Sequence, residues 1–132
     1  MRFKNIKLLF PVIFLAAGFG CADIDSPKIL DTTILEDTLD TLGPYEVITS
    51  VSDDREVREV SLYFGKGDDE TPEAELARRI MEETTDGAYR AEIPGYPAGT
   101  NVIYFVTATD LEGNKDRDPK SGYYTFKVLS NP

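Results

Sequence analysis

The sequence contains no histidine, no tryptophan and a single cysteine, Cys21. Without histidine there is no imidazole acid or base, no histidine-based catalytic triad and no histidine-ligated zinc site. A single cysteine cannot form an internal disulfide. These absences exclude most classes of enzyme, and the remaining residues form no recognisable catalytic motif. We therefore predict that the protein is not an enzyme.

Basic residues are also scarce, with 14 Lys and Arg against 24 Asp and Glu and a formal net charge of −10. Such a surface repels phosphate backbones, so we do not expect nucleic acid as a partner. The same charge argues against direct electrostatic docking on anionic lipid. A chain of 132 residues has room for one domain with one core.

The sequence has no apolar run long enough to cross a bilayer as a helix. Residues 8–20 are uncharged and mostly apolar, but these 13 residues fall well short of the roughly 20 required. Arg2, Lys4 and Lys7 precede the run, and small residues followed by Cys21 end it. This arrangement predicts a secretory signal peptide over residues 1–20. Its removal leaves 11 basic residues against 24 acidic ones, a formal charge of −13.

Residues 15–21, LAAGFGC, resemble the lipobox of bacterial lipoproteins. Gly20 fits the small residue before the cysteine, whereas Gly18 and Phe19 depart from the usual aliphatic and small residues. The resemblance implies that Cys21 is lipidated and begins the mature chain, so that the protein reaches the membrane through its N-terminal lipid. Ala22 implies sorting to the outer membrane of a Gram-negative cell, on either its periplasmic or its outer face. An ordinary signal peptide with an unmodified cysteine is the alternative.

The longest alternating pattern covers residues 101–114, NVIYFVTATDLEGN, and ends in a turn signal at Gly113. Both alternating sets are apolar between Val102 and Val106, which predicts a central strand with something packed over each face. Shorter patterns predict an edge strand within residues 28–35 and further strands over residues 45–51, 57–64, 88–93 and 122–129.

Residues 73–83 are ambiguous. Leu76, Ala77, Ile80 and Met81 fit a helical stripe, and the segment is rich in good helix formers. Its position between predicted strands favours instead a strand around residues 79–83, which a helical turn can precede. Six or seven short strands in about 100 residues, separated by turn signals, predict an all-β sandwich.

The strand motifs resemble the immunoglobulin-like and fibronectin type III-like modules of secreted bacterial proteins. The matching pieces are GPYEV at residues 43–47, VSLYF at 60–64, DGAYRAEIPG at 86–95 and YFVTATDLEGN at 104–114. The resemblance implies an immunoglobulin-like antiparallel β-sandwich of about seven strands over residues 29–132, joined to Cys21 by an acidic tether at residues 21–28. It also implies that Tyr104 is a structural tyrosine, whose hydroxyl bonds backbone across the turn before its own strand.

Acidic and amide side chains recur at every second position after the central strand. Oxygen ligands at this spacing can converge on calcium, and in an immunoglobulin-like topology the loop after the second strand lies at the same pole. The spacing is not that of an EF-hand, and Lys115 and Arg117 interrupt it. The alternatives are a calcium site and a solvated, charged hairpin turn. The candidate ligands are Asp53, Asp54, Asp110, Glu112, Asn114, Asp116 and Asp118.

Tyr63, Tyr96, Tyr123 and Tyr124 form a second candidate site, because tyrosines can stack on sugar rings or anchor a protein partner. Alternating tyrosines can equally be core or cross-strand residues. The function that these features favour is a non-catalytic binding, adhesion or scaffolding module of the cell envelope, with a protein or glycan partner. A calcium- or glycan-binding accessory module of an envelope complex is the alternative.

Overall fold

The computed structural model describes residues 27–52 and 56–132. The predicted signal peptide, Cys21 and two of the candidate calcium ligands, Asp53 and Asp54, lie outside these residues. The described chain forms two antiparallel sheets packed as a sandwich, which confirms the all-β prediction. Within it, no helix is long and apolar enough to cross a membrane.

The first sheet has four strands in the order β1 (Lys28–Thr32), β2 (Tyr45–Ser52), β6 (Ala88–Ile93) and β5 (Glu82–Thr85). The second has five strands and is built around β7 (Asn101–Asp110). On one side of β7 lie β3 (Val57–Lys66) and then β4 (Ala77–Ile80). On its other side, β8 (Lys115–Asp118) pairs with its C-terminal half and β9 (Tyr124–Lys127) with its N-terminal half.

The inner faces of the two sheets enclose one apolar core. Val47 and Tyr45 face inward from β2, and Val60, Leu62 and Phe64 face inward from β3. In β2 this orientation follows from period-two alternation, because each buried residue is separated from the next by an exposed or half-buried one. The core therefore holds through apolar packing within the described residues.

The outer face of β7 is covered as well, as its two apolar faces predicted. Phe105 is buried beneath three side chains of its own sheet. The ring of Tyr63 stacks on it at 4.6 Å, the ring of Tyr123 lies at 5.9 Å, and the guanidinium of Arg117 lies 4.0 Å above it.

The loop between β3 and β4 completes this outer layer. Its backbone accepts a hydrogen bond from the Tyr123 hydroxyl at Thr71 O, at 2.5 Å, and Glu73 forms an ion pair with Arg117 at 3.1 Å. The loop carries a single turn of 3₁₀ helix (Glu73–Glu75). It therefore covers the outside of the aromatic cluster over Phe105 with polar contacts.

The chain changes sheet at two edges. Met81 is buried between β4 in one sheet and β5 in the other, and its amide donates to Val60 O at 2.8 Å. At the other edge, Thr33 still bonds Ile48 of β2, whereas Thr38 forms a parallel bridge with Val128 beside β9. These two crossings close the sandwich at its sides.

At residues 73–85 the preference for strand over helix is confirmed, but the single strand predicted around residues 79–83 is divided between the two sheets at Met81. A single 3₁₀ turn precedes two short strands that cover residues 77–80 and 82–85, so the helical stripe is not a helix. The prediction was wrong at residues 115–118, which belong to a strand and not to a loop. Strand order and the two sheet-changing edges are compatible with an immunoglobulin-like topology.

Candidate functional site

Asp110, a candidate calcium ligand, is buried at the end of β7 and closes the turn to β8. Its Oδ1 accepts hydrogen bonds from the backbone amides of Glu112 and Asn114, both at 2.9 Å, and its Oδ2 accepts one from Asn114 Nδ2 at 3.0 Å. Burial acts to raise the pKa of this carboxyl group, but the hydrogen bonds outweigh it and lower the pKa of Asp110. Both carboxylate oxygens are therefore engaged by donors of their own turn.

Asp116 seals the side of the sandwich where β8 and β1 approach each other. Its Oδ2 accepts a hydrogen bond from the backbone amide of Ile29 at 2.8 Å, and its Oδ1 pairs with the ammonium of Lys120. Burial acts to raise the pKa of Asp116, but the Ile29 amide and Lys120 outweigh it and lower this pKa. This carboxylate thus joins an edge strand of one sheet to an edge strand of the other.

Asp118 accepts a hydrogen bond from the hydroxyl of Tyr124 at 2.7 Å. Burial raises the pKa of Tyr124, and the hydrogen bond to Asp118 and the charge of that residue raise it further. This tyrosine is therefore held neutral against the carboxylate.

The start of β3 and the end of β7 lie at one pole, because Val57 pairs with Asp110. The candidate carboxylates that the structure describes do not converge on one point, however. Among residues 27–52 and 56–132, no group of three or more carboxylate or cysteine side chains is placed to hold a metal ion. Asp53 and Asp54 lie outside these residues. The carboxylates of Asp110, Asp116 and Asp118 bind the protein's own donors, as described above.

The four tyrosines of the candidate aromatic site are built into the fold and do not share one face. Tyr63 and Tyr123 belong to the outer layer over Phe105, whereas Tyr124 packs against Tyr104 at 5.5 Å between ring centroids. Tyr96 is half-buried at the far end of the sandwich, where its amide donates to Tyr45 Oη at 3.3 Å. The described structure therefore presents them as packing residues.

Tyr104 is fully buried in β7, and its hydroxyl bonds backbone, although not where the resemblance placed the partner. The hydroxyl donates to Thr33 O at 2.8 Å and accepts from the Leu35 amide at 2.9 Å. Both partners lie in the segment that crosses from the first sheet to the second, not in the turn before β7. Tyr104 therefore fixes the crossing at one edge of the sandwich.

A small recess of about 270 Å³ opens at the pole where β2 ends. It is lined by Val51, Val57 and Gly87, together with Tyr89 and three carboxylates at Glu56, Glu83 and Asp86. Burial raises the pKa of Tyr89, and the charges of Glu83 and Asp86 raise it further. Glu83 is partly engaged, since it accepts a hydrogen bond from the Gly87 amide at 3.2 Å.

At the opposite pole, residues 38–44 form what we call the apical loop, and this feature escaped sequence reasoning. The loop leaves Leu42 86% exposed and Leu39 57% exposed. Among the described residues, Leu42 is the most exposed of the large apolar side chains. No periodic pattern distinguishes these leucines from core residues in the sequence.

Hydrogen bonds fix the apical loop from within. Asp40 lies at its centre: its amide donates to Thr38 Oγ1 at 3.0 Å, and its Oδ1 accepts from the amides of Leu42 and Gly43 at 2.9 and 3.1 Å. The hydroxyl of Tyr45 donates to Asp40 O at 2.6 Å. One aspartate thus organises the whole turn.

The apical loop is also held from both sides. Thr38 is bonded on both its amide and its carbonyl to the end of β9, at 3.0 and 2.7 Å. Gly95 packs so closely on the loop that a Cβ at this position would lie 2.5 Å from Leu42 O. Gly43 has a φ of +60°, and a Cβ at this position would lie 2.7 Å from the amide nitrogen of Gly95. The loop is therefore a rigid projection that presents two leucines.

A comparison with models of known protein families finds none that matches the chain. A comparison with curated proteins finds no match either.

Proposed function

We propose that this chain is an exported, lipid-anchored protein of the cell envelope whose sandwich domain is a non-catalytic binding module. The observation that carries the binding proposal is the apical loop, in which Leu42 is 86% exposed on a backbone fixed by Asp40 and Tyr45. A rigid exposed leucine is suited to fill an apolar pocket, since binding then requires little further ordering of the loop.

The charge around the leucines points to the chemistry of the partner. Glu36, Asp37 and Asp40 are exposed beside them, and the whole chain is strongly acidic. A complementary protein surface is an apolar pocket with a basic rim, because such a rim is attracted to the loop during approach. This reasoning favours a protein partner over a glycan.

Lipid anchoring is supported by the sequence of residues 1–21 and by the position of Cys21 at the end of the apolar run. Several buried acyl chains hold a protein firmly, at about 0.8 kcal/mol for each CH₂ group. We expect Cys21→Ala to move the protein from the membrane fraction to the soluble fraction of the envelope. Membrane-bound Cys21→Ala protein would contradict the anchor.

The binding proposal is tested by a photoreactive amino acid at position 42 in intact cells. We expect a discrete cross-linked product from position 42 and none from position 111, where another exposed leucine, at 56% against 86% for Leu42, lies at the other pole. The second change Leu39→Asp should abolish the product from position 42, because it places a charge within the same apolar contact. Equal products from both positions, or a product that Leu39→Asp leaves intact, would refute binding by the apical loop.

A further inference from the structure

The two poles of the sandwich are not equivalent with respect to the start of the domain. Lys28 opens β1 and pairs with Ser52, the last residue of β2. The described chain therefore begins at the pole that also holds the turn at residues 86–87 and the turn at residues 111–114. We call this end the N-terminal pole. The apical loop precedes the first residue of β2, Tyr45, and so lies at the opposite end.

The distance between the poles follows from β2 itself. This strand has eight residues, and at about 3.3 Å per residue its ends lie about 23 Å apart. The apical loop projects further, since it lies beyond Tyr45. A point on the N-terminal pole and Leu42 are therefore separated by at least this distance along the sandwich.

The chain between Cys21 and the domain is short by comparison. Only residues 22–26 separate Cys21 from Pro27, which is already buried against the domain. Six peptide units reach about 21 Å at full extension, and a flexible chain of this length has an average end-to-end distance of about 13 Å. An inverted domain, with Leu42 against the lipid, requires more than the fully extended length.

From these distances we infer that the lipid anchor orients the domain: the N-terminal pole faces the bilayer, and Leu39 and Leu42 face away from it toward a partner outside the lipid surface. This inference rests on the lipid anchor of the proposed function. It makes the apical loop the surface that is free to meet another protein of the envelope.

The short tether keeps the N-terminal pole near the lipid, and the acidic groups of this pole oppose its adsorption to anionic headgroups. Glu56, Glu83 and Asp86 are exposed there, as are the basic residues Lys28, Arg58 and Lys115. Acidic groups are repelled by anionic headgroups within about 8 Å at physiological ionic strength. The whole chain carries 24 acidic against 14 basic residues, so adsorption of the sandwich on its side to an anionic bilayer is disfavoured as well.

The test uses the full-length lipidated protein, purified in detergent and reconstituted into vesicles of phosphatidylethanolamine and phosphatidylglycerol. Leu42→Cys and Leu111→Cys form a matched pair, since both replace exposed leucines in loops at opposite poles. Each is labelled with a small fluorophore, and a fraction of the lipid carries a nitroxide on its headgroup. We expect several-fold stronger quenching at position 111 than at position 42.

Equal quenching at the two positions, or stronger quenching at position 42, would overturn the orientation. Co-flotation with the vesicles is measured on the same samples and reports the anchor separately: protein that does not float refutes the lipid anchor and, with it, the orientation. A 20-residue Gly-Ser insertion after Asp23 raises the average reach to about 28 Å. This insertion should shrink the difference between the two positions, and an unchanged difference would show that tether length does not set the orientation.

Discussion

Replacement of Tyr104 by phenylalanine isolates the hydroxyl that fixes the sheet crossing. The phenylalanine ring keeps the packing against Tyr124 and Phe126. Only two hydrogen bonds of the hydroxyl are lost: the one that it accepts from the Leu35 amide and the one that it donates to Thr33 O. At about 1 kcal/mol for each bond, we expect the free energy of unfolding to fall by about 2 kcal/mol. For a domain of roughly 100 residues this corresponds to a fall in Tm of about 8 to 10 °C.

The assay is thermal unfolding followed by circular dichroism, with Tyr123→Phe as the matched control. Tyr123 loses a single hydroxyl bond, to Thr71 O in a surface loop, so its Tm should fall by less than half as much. Hydrogen exchange provides a local readout, because the Leu35 amide loses its acceptor only in Tyr104→Phe. The reasoning is refuted if Tyr104→Phe lowers the Tm no more than Tyr123→Phe does, or if exchange at Leu35 is unchanged.

Three further predictions concern β8 and its turn. The pKa values of Asp110 and Asp116 are lowered on folding, so the stability they provide is present above the unfolded pKa of about 3.8 and is lost as the pH falls through their folded values. The free energy of unfolding measured in urea should therefore be nearly independent of pH from about 5 to 7 and should fall below about pH 4. The Asp116→Asn variant should show a smaller fall. An equal fall in the variant would contradict this role of Asp116. Arg117→Lys should cost about 1 kcal/mol and speed cleavage by a glutamate-specific protease at residues 70–75, because lysine cannot stack flat on Phe105 while pairing with Glu73; unchanged cleavage would show that Arg117 does not hold the loop. Addition of about 1 mM calcium should leave the Tm where a chelator leaves it, because the described carboxylates bind the protein's own donors. A micromolar site would add about 4 kcal/mol to the free energy of unfolding. A calcium-dependent rise in Tm would instead implicate the segment that contains Asp53 and Asp54.

The central strand β7 was predictable because burial leaves a direct mark on its sequence. Val102 to Val106 are apolar on both alternating faces, and the structure covers both: the core on one side and the outer layer over Phe105 on the other. What covers the outer face was not predictable. Arg117 and the loop at residues 67–76 are polar in composition. The guanidinium of Arg117 nevertheless lies over the Phe105 ring while it pairs with Glu73.

β8 was missed because its sequence, KDRD, is fully charged and has no apolar face. Successive side chains of β8 nevertheless face opposite sides of the sheet. Arg117 points to the outer layer, and Asp116 accepts a hydrogen bond from the amide of Ile29 at the edge of the opposite sheet. A carboxylate used as an acceptor for an unpaired edge amide has the same sequence signature as a carboxylate in solvent. The same ambiguity produced the calcium hypothesis at residues 110–118.

The apical loop shows the converse ambiguity, since Leu39 and Leu42 in the sequence are indistinguishable from residues destined for the core. Their exposure is decided by Asp40, which turns the backbone so that both side chains point outward, and by the close approach of Gly95. Ordering an exposed side chain on binding costs about 0.5 to 1.5 kcal/mol, and ordering a free loop costs more. Here the fold has already ordered the backbone of the loop, so a partner has to offset only the cost of ordering the two leucine side chains. The proposed binding surface is placed at the apical pole because two exposed leucines are presented there on an ordered backbone.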